Sequence, residues 1–446
     1  MMNILFVSLG CDKNLVDSEV MLGLLAEKGY GFTDDEMEAD VIVVNTCCFI
    51  GDAKEESVNT ILEMAEHKKD AKCKALIVTG CMAQRYKQEI IDEIPEVDAV
   101  LGTTTYDSII EAVEEALGGE HMLKCEDIDR LVLTNAKRML TTGGHYAHLK
   151  IAEGCDKHCT YCIIPSLRGN YRSVPMERLL KEANELADQG VRELILVAQE
   201  TTLYGVDLYG KKMLPELLHK LAEIPGIYWI RIQYCYPEEI TDEFIEAIRT
   251  EEKVCHYLDV PIQHASDRIL KRMGRRTNQA QLREIIGKLR AAVPDIALRT
   301  TMISGFPGET QEDHEEVMRF VDEMEFERLG VFTYSAEEDT PAAAFPDQIP
   351  EEVKEERRDE IMELQQEIAF EKSESMVGRV LDVMIEGKVA DEAAYVGRTY
   401  MDAPNVDGYI FVNSGELFMS GDFVRVKVTG SNDYDLIGEV YDESAE

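Results

Sequence analysis

The chain has 446 residues, enough for about three domains, and 45% of them are apolar, which supplies ordinary cores. No apolar run approaches bilayer-spanning length, and the opening Met1-Met-Asn-Ile-Leu lacks a basic stretch ahead of an apolar one; this excludes a membrane partner and predicts a cytoplasmic protein. With 87 acidic against 46 basic residues the net charge is −41, a field that repels nucleic acid and favours basic partners; halophilic solvation is the plain alternative. Eleven cysteines in a reducing compartment argue for metal binding or catalysis over a disulfide framework.

Residues 1–138 read as alternating strands and helices. Asn3–Leu9, Asp40–Asn45, Ala75–Thr79 and Ala99–Leu101 are short apolar runs, with helical patterns over Leu15–Lys28 and Ser57–His67. Continuous apolar strands separated by helices imply a parallel sheet covered on both faces. In such sheets ligands collect beyond the carboxyl ends of the strands. Three cysteines fall there: Cys11, Cys47 and Cys81, after the first, second and third strands. One cysteine so placed would be an ordinary buried apolar residue; three on successive strand ends predict a metal cluster. Cys48, Cys73 and Cys125 read as structural.

Thr141-Thr-Gly-Gly144 opens a second domain, read as 139–374, and after a strand over His148–Ala152 comes Glu153-Gly-Cys155-Asp-Lys-His-Cys159-Thr-Tyr161-Cys162. Three cysteines spaced four and then three apart can hold three irons of a four-iron cluster and leave the fourth without a protein ligand. An open position separates a catalytic metal site from a structural one. A zinc site completed from elsewhere is the competing reading, but zinc loops usually come as paired C-x₂-C units and no second pair exists. Strands then recur at Glu193–Ala198, Tyr228–Gln233, Tyr257–Ile262, Ile296–Ile303 and Arg328–Thr333. Helical patterns run between them over Met176–Gln189, Leu214–Ile224, Asp242–Thr250, Ala280–Val293 and Thr310–Met324. Six β/α repeats are fewer than the eight of a closed barrel. Cys235 and Cys255 read as buried thiols, and His264 as a hydrogen-bonding residue ahead of a proton relay.

Residues 350–374 form a charged helical pattern whose apolar positions, Val353, Ile361, Leu364 and Ile368, suit a helix packed on one side. From 375 onward five short strands (Gly378–Glu386, Ala394–Tyr400, Gly408–Val412, Asp422–Thr429 and Asp435–Val440) predict a small barrel of the oligonucleotide-binding type. That stretch carries five basic residues against fourteen acidic ones, counting Asp442, Glu443 and Glu446. A groove that tracks a phosphate backbone needs positive charge, so a basic protein suits this module better than RNA.

The loop Cys155-x₃-Cys159-x-Tyr161-Cys162 resembles the radical S-adenosylmethionine (SAM) superfamily. Ser8-Leu-Gly-Cys11-Asp-Lys-Asn14, Asn45-Thr-Cys47 and Thr79-Gly-Cys81 resemble the cysteine motifs of its methylthiotransferase family, whose last domain is called TRAM. The resemblance spans the whole chain and implies three parts. These are a parallel α/β sheet domain over 1–138, an open (β/α)6 partial barrel over 139–374, and an OB-like five-stranded TRAM β-barrel over 375–446. It implies two [4Fe-4S] clusters, one on Cys155, Cys159 and Cys162 that cleaves SAM, and an auxiliary one on Cys11, Cys47 and Cys81 that presents sulfur. Tyr161, Gln199, Glu200, Arg299 and Gly305 fall on motifs that contact SAM in the superfamily.

Within the family, Cys11-Asp-Lys-Asn14, Leu258-Asp-Val-Pro-Ile-Gln-His264, Arg328–Glu338 and Asp402–Gly408 resemble the branch that modifies a ribosomal protein. Asn405 departs from it, standing where that branch usually carries Glu. The expected substrate is an aspartate β-carbon in protein twelve of the small ribosomal subunit, free or ribosome-bound, with an external electron donor. Nucleic acid is not expected as substrate. Two readings compete: methylthiolation of a tRNA adenosine, as in the tRNA-modifying branch, and a non-enzymatic iron–sulfur protein.

Overall fold

A computed structural model describes residues 2–441. Strands β1 (Asn3–Ser8), β2 (Gly31–Phe32), β3 (Val41–Thr46), β4 (Ala75–Gly80), β5 (Ala99–Leu101) and β6 (Met122–Lys124) form a parallel sheet of order β2-β1-β3-β4-β5-β6. Every residue of β3 and β4 is buried, because helices cover both faces. The edge strands β2 and β6 and the helix Ile109–Leu117 lie outside the elements read from the sequence. β2 and β6 are short edge strands and lack the continuous apolar, fully buried run by which the equally short β5 could be read.

The second sheet runs β7 (Tyr146–Lys150), β10 (Glu193–Val197), β11 (Trp229–Ile232), β12 (Val254–Asp259), β13 (Ala297–Ser304) and β14 (Arg328–Thr333). Its order is β14-β13-β12-β11-β10-β7, all parallel, without closure between β14 and β7. Alternate residues such as Leu194, Leu196, Ile230, Ile232, Leu258 and Leu298 pack against the helices in the largest core cluster. Their neighbours, among them Glu193, Arg231, Tyr257 and Arg299, belong to the opposite, inner face. The strand expected over His148–Ala152 is split. Ala152–Glu153 (β8) leaves the sheet and pairs antiparallel with Arg172–Ser173 (β9), so that a two-strand ribbon brackets the cysteine loop.

The helix Glu351–Ser375 buries Lys354, Arg357, Ile361, Gln365 and Ile368, one stripe that packs against β14 and the helix Gln311–Met324. Val353 and Leu364 only flank it. Its polar members are anchored: Lys354 Nζ donates to the Tyr334 carbonyl at 2.8 Å, Arg357 Nη1 to Glu309 Oε1 at 2.8 Å and Gln365 Nε2 to the Phe326 carbonyl at 2.8 Å. Strands β15 (Val380–Lys388), β16 (Ala394–Arg398), β17 (Ile410–Asn413), β18 (Phe423–Asn432) and β19 (Asp435–Val440) close a five-stranded barrel. Asp442, Glu443 and Glu446 lie outside the described residues. Among those described, no helix is long and apolar enough to cross a membrane.

Candidate active site between two groups of cysteines

Cys11 is the N-cap of the helix Asp12–Lys28 and is exposed, whereas Cys47 and Cys81, after β3 and β4, are buried. Asn14 ties the strand ends together: its Nδ2 donates to the carbonyls of Leu9 at 3.1 Å and Thr46 at 2.9 Å. Gly10 has φ +92°, and a Cβ there would lie 2.8 Å from Cys47 Cβ, so only glycine lets the Cys11 turn approach Cys47 this closely. Burial pushes the Cys47 and Cys81 thiols up, and the charge of neighbouring cysteines, Cys11 included, adds to this. Cys48 is buried and pushed up to about 12, while Cys73 and Cys125 point their thiols at the carbonyls of Ala75 and Ala83.

In the second group, Cys155 and Cys159 are buried and Cys162 is half-buried. The loop is fastened from behind. Thr160 N donates to the Met273 carbonyl at 2.9 Å, and the Cys155 amide donates to the Gly169 carbonyl at 3.1 Å. Arg275, buried over the Tyr236 ring at 4.5 Å, directs Nη1 at Cys159 Sγ from 4.0 Å. Burial pushes Cys155 up to about 11 and Cys162 up to about 12.

One side chain joins the groups. Arg168, 2% exposed, donates from Nη2 to Cys81 Sγ at 3.5 Å and to Asn14 Oδ1. Its Nη1 reaches Asp17 at 2.8 Å and Glu153 Oε2 at 3.3 Å. Glu153 Oε1 in turn accepts from Gln199 Nε2 at 2.7 Å, and Gln199 Oε1 accepts from the Gly154 amide at 2.9 Å, next to Cys155. A continuous polar chain therefore runs from one cysteine group to the other.

The five residues singled out as SAM contacts divide. Tyr161 packs beside Ile269, Met273 and Phe306 at the cysteine loop, and Gln199 shapes the backbone ahead of Cys155. Glu200 is fully buried; its Oε1 accepts from Thr202 N at 2.9 Å, and its Oε2 has no partner. Burial pushes its carboxyl up to about 7. Arg299 is not at a strand end: it is the third residue of β13, and its guanidinium is held by Asp259 at 3.1 Å and by Asp407 of the terminal barrel at 3.4 Å. Gly305, at φ +68°, makes room for protein: a Cβ there would lie 2.2 Å from Lys354 Cγ. Packing against the helix Glu351–Ser375 thus accounts for that glycine without a ligand. His264 accepts from Ser266 N at 2.9 Å and meets Glu309 at 3.3 Å, which occupies both ring nitrogens, and Cys235 and Cys255 are buried thiols.

Residues 3–102 match the uncharacterized protein family UPF0004, 149–321 the radical SAM superfamily and 377–440 the TRAM domain. A protein of Lachnoclostridium phytofermentans named ribosomal protein uS12 methylthiotransferase RimO is 67% identical over 437 residues, covering 98% of this chain and 99% of the relative. The chain belongs to the RimO family. Proteins of the same name from Acetivibrio thermocellus, 53% identical with 98% of each chain covered, and Clostridioides difficile, 48% identical with 100% of each covered, agree. The fold is shared with the radical SAM methyltransferase TsrM of Kitasatospora setae, at a TM-score of 0.52 and 13% identity over 75% of each chain. It is also shared with the cobalamin-dependent radical enzyme OxsB, at 0.51 and 13% over 82% of this chain and 56% of that one. As a member of the RimO family the chain is a radical SAM methylthiotransferase, with SAM and [4Fe-4S] clusters as cofactors.

The donor sets fit those cofactors. Among the described residues no three His, Cys, Asp or Glu side chains converge as they would on one metal ion. A four-iron cluster asks for less, since each thiolate takes a different iron. Buried thiols next to Arg168 and Arg275 have cationic neighbours that favour the thiolate form a cluster requires. The unpaired Glu200 Oε2 is an acceptor without a donor, which a ligand ammonium would supply. Arg168, Arg275 and Tyr236 escaped the sequence reading because a lone arginine or tyrosine in a loop carries no periodic or spacing signal.

Proposed function

We propose that this chain attaches a methylthio group to the β-carbon of an aspartate in ribosomal protein uS12. The observation that carries this reading is Arg168, which touches both Cys81 and the ribbon beside Cys155 and so holds two cysteine groups to one reaction space. In this reading the chain divides into three working parts, residues 1–138, 139–374 and 375–446. Cys155, Cys159 and Cys162 hold the cluster that cleaves SAM, while Cys11, Cys47 and Cys81 hold the auxiliary cluster. When bound, these cofactors supply a carbon radical and an activated sulfur.

The protein's own contribution is placement. Glu200 offers its free carboxylate oxygen to the SAM ammonium, and Gln199 fixes the backbone before Cys155. Tyr161 borders the same loop. The Arg168–Glu153–Asp17 ion cluster keeps the amino-terminal domain seated on the partial barrel. The electron comes from an external donor, and uS12 is met free or on the ribosome, in the cytoplasm. The terminal barrel is poorly equipped for RNA. Of its five basic residues Arg398 is fully buried in ion pairs with Glu193 and Glu386, which takes it from any groove that would track a phosphate backbone.

Anaerobic turnover with SAM and dithionite tests the reading, with a uS12 loop peptide and an anticodon-arm RNA in competition. Mass spectrometry should show one hydrogen replaced by a methylthio group on the peptide's aspartate alone. A gain on the RNA alone would replace this reading with the tRNA one. Cys155→Ala should abolish deoxyadenosine formation, while Cys81→Ala should spare it and lose the methylthiolated product. Equal loss in both variants would refute two separate tasks.

A further inference from the structure

Lys13 is buried, 6% exposed, yet no carboxylate among the described residues lies within ion-pair distance of its ammonium. The other two buried lysines are conventional: Lys157 pairs with Glu238 and Glu239, and Lys354 with Glu351 at 2.8 Å. Lys13 instead sits 3.4 Å above the Tyr234 ring. Its neighbour Asp12 acts on it through charge but without an ion-pair contact, accepting instead from Tyr234 Oη at 3.2 Å and standing 3.5 Å from His148 Nε2. A cation–π contact compensates a desolvated ammonium only in part.

The place is as telling as the missing partner. Tyr234 follows β11 at its carboxyl end and packs on Tyr146, Ile195 and Val197, all on the inner face of the partial barrel. It is held at φ +60°, a strained conformation for an aromatic residue that its amide's bond to Asp259 Oδ2 at 3.0 Å helps to fix. Lys13 is two residues from Cys11. Its ammonium therefore lies between an auxiliary cysteine and the mouth of the barrel. Gln233 Oε1, one residue before Tyr234, and His148 Nδ1, on the ring that meets Asp12, are also buried without partners.

We infer that Lys13 is the specificity-determining residue that receives the carboxylate of the target aspartate. This rests on the proposed substrate, in which the carboxylate is bonded directly to the carbon that reacts. Fixing that carboxylate fixes the reacting carbon to within one bond, and an ammonium separates aspartate from asparagine by charge.

The test uses the full chain with both clusters reconstituted and uS12 loop peptides carrying Asp or Asn at the target position. Binding is read by fluorescence anisotropy without reductant, and turnover by mass spectrometry. The parent should bind the Asp peptide at least tenfold more tightly than the Asn peptide. Lys13→Met should lose that preference by weakening the Asp peptide alone. Iron content and deoxyadenosine formation without peptide should match the parent. Lys13→Arg should keep part of the preference. Equal binding of both peptides by the parent would overturn the inference whatever the variants do. So would a Lys13→Met that weakens both peptides equally or sheds iron while folded, which would make Lys13 a support of Cys11. If the parent makes deoxyadenosine but never modifies the Asp peptide, the substrate reading fails and this inference with it; a modified peptide without discrimination defeats the inference alone.

Discussion

The partial barrel is capped at both ends by another part of the chain, and the two contacts use the same residue types differently. At the amino-terminal ends of the strands, Glu193 accepts from Arg231 Nε at 2.7 Å and from Arg398 Nη2 at 2.7 Å, all three fully buried. Arg398 spends its remaining donors on Glu386 at 2.6 Å and the Asp402 carbonyl at 3.0 Å. Tyr257, Arg299 and Arg328 each reach Asp407 or Asp402. At the carboxyl ends the network is just as charged but incomplete: Glu200 Oε2, Gln233 Oε1 and His148 Nδ1 are buried without partners, and Lys13 lacks a carboxylate. A satisfied buried network specifies packing, whereas a deficit in native protein calls for a ligand. At the lower contact, among the described residues, His145 Nδ1 is left over.

Breaking the lower contact should produce the largest effect. Arg398→Met leaves Glu193 and Glu386 facing a buried charge deficit, and removing one partner of such a pair typically costs about 3–5 kcal/mol. The loss is read as a lower urea midpoint for the cluster-free protein. Burial alone would push Glu193 up, but Arg398 and Arg231 outweigh it and hold its carboxyl at about 2. Its folded value thus lies below its unfolded one, so the stabilisation is present above the ordinary Glu range and is lost as the pH falls from there toward about 2. Acid unfolding should therefore begin at higher pH in the variant. A variant as stable as the parent would show the lower network to be as incomplete as the upper one.

At the upper contact the expected loss is functional first. Arg168→Gln removes the donor to Cys81 and the bridge to Glu153. Methylthiolated product should fall by about a hundredfold, some 2.7 kcal/mol in the barrier, while deoxyadenosine formation persists. Product quantification alongside deoxyadenosine separates the two. Parallel loss of both would mean that Arg168 serves the fold as Arg398 does.

The halves of this comparison were unequally legible in the sequence. Fully buried strands such as β3 and β4 announce themselves as apolar runs, and amphipathic helices between them give the parallel order, so both sheets could be read apart from their two- and three-residue edges. The cysteines could be read because strand-end position and close spacing are local properties. Arg168 could not, since its carboxylate Asp17 lies 151 residues away and nothing near it in the chain hints at the pair. Arg299 was misplaced for the same reason, and the room beside Gly305, which does follow a strand end, is filled in the same way: Asp407 and Lys354 come from distant segments. Motif position locates a residue near a strand end; only tertiary contacts tell whether ligand or protein fills the space beyond it.

The smallest effect sharpens the comparison most, because it sets Glu200 against Glu193. Burial pushes the Glu200 carboxyl up to about 7, the opposite direction from Glu193. Its folded value exceeds its unfolded one, so the native chain binds the extra proton between them and stability falls as the pH rises through that window. In the ligand-free protein Glu200→Gln should match the parent near pH 5 and exceed it at pH 8, on the order of 2 kcal/mol. Thermal melts across that range read the slope. Adding SAM should raise the parent's Tm more at pH 8 than at pH 6, because a bound ammonium pairs with the ionised carboxylate, and the variant should lack that difference. If Glu200→Gln instead lost stability at every pH, Glu200 would be a structural carboxylate like Glu193, and the upper network's vacancy would have to be assigned to Lys13, Gln233 and His148.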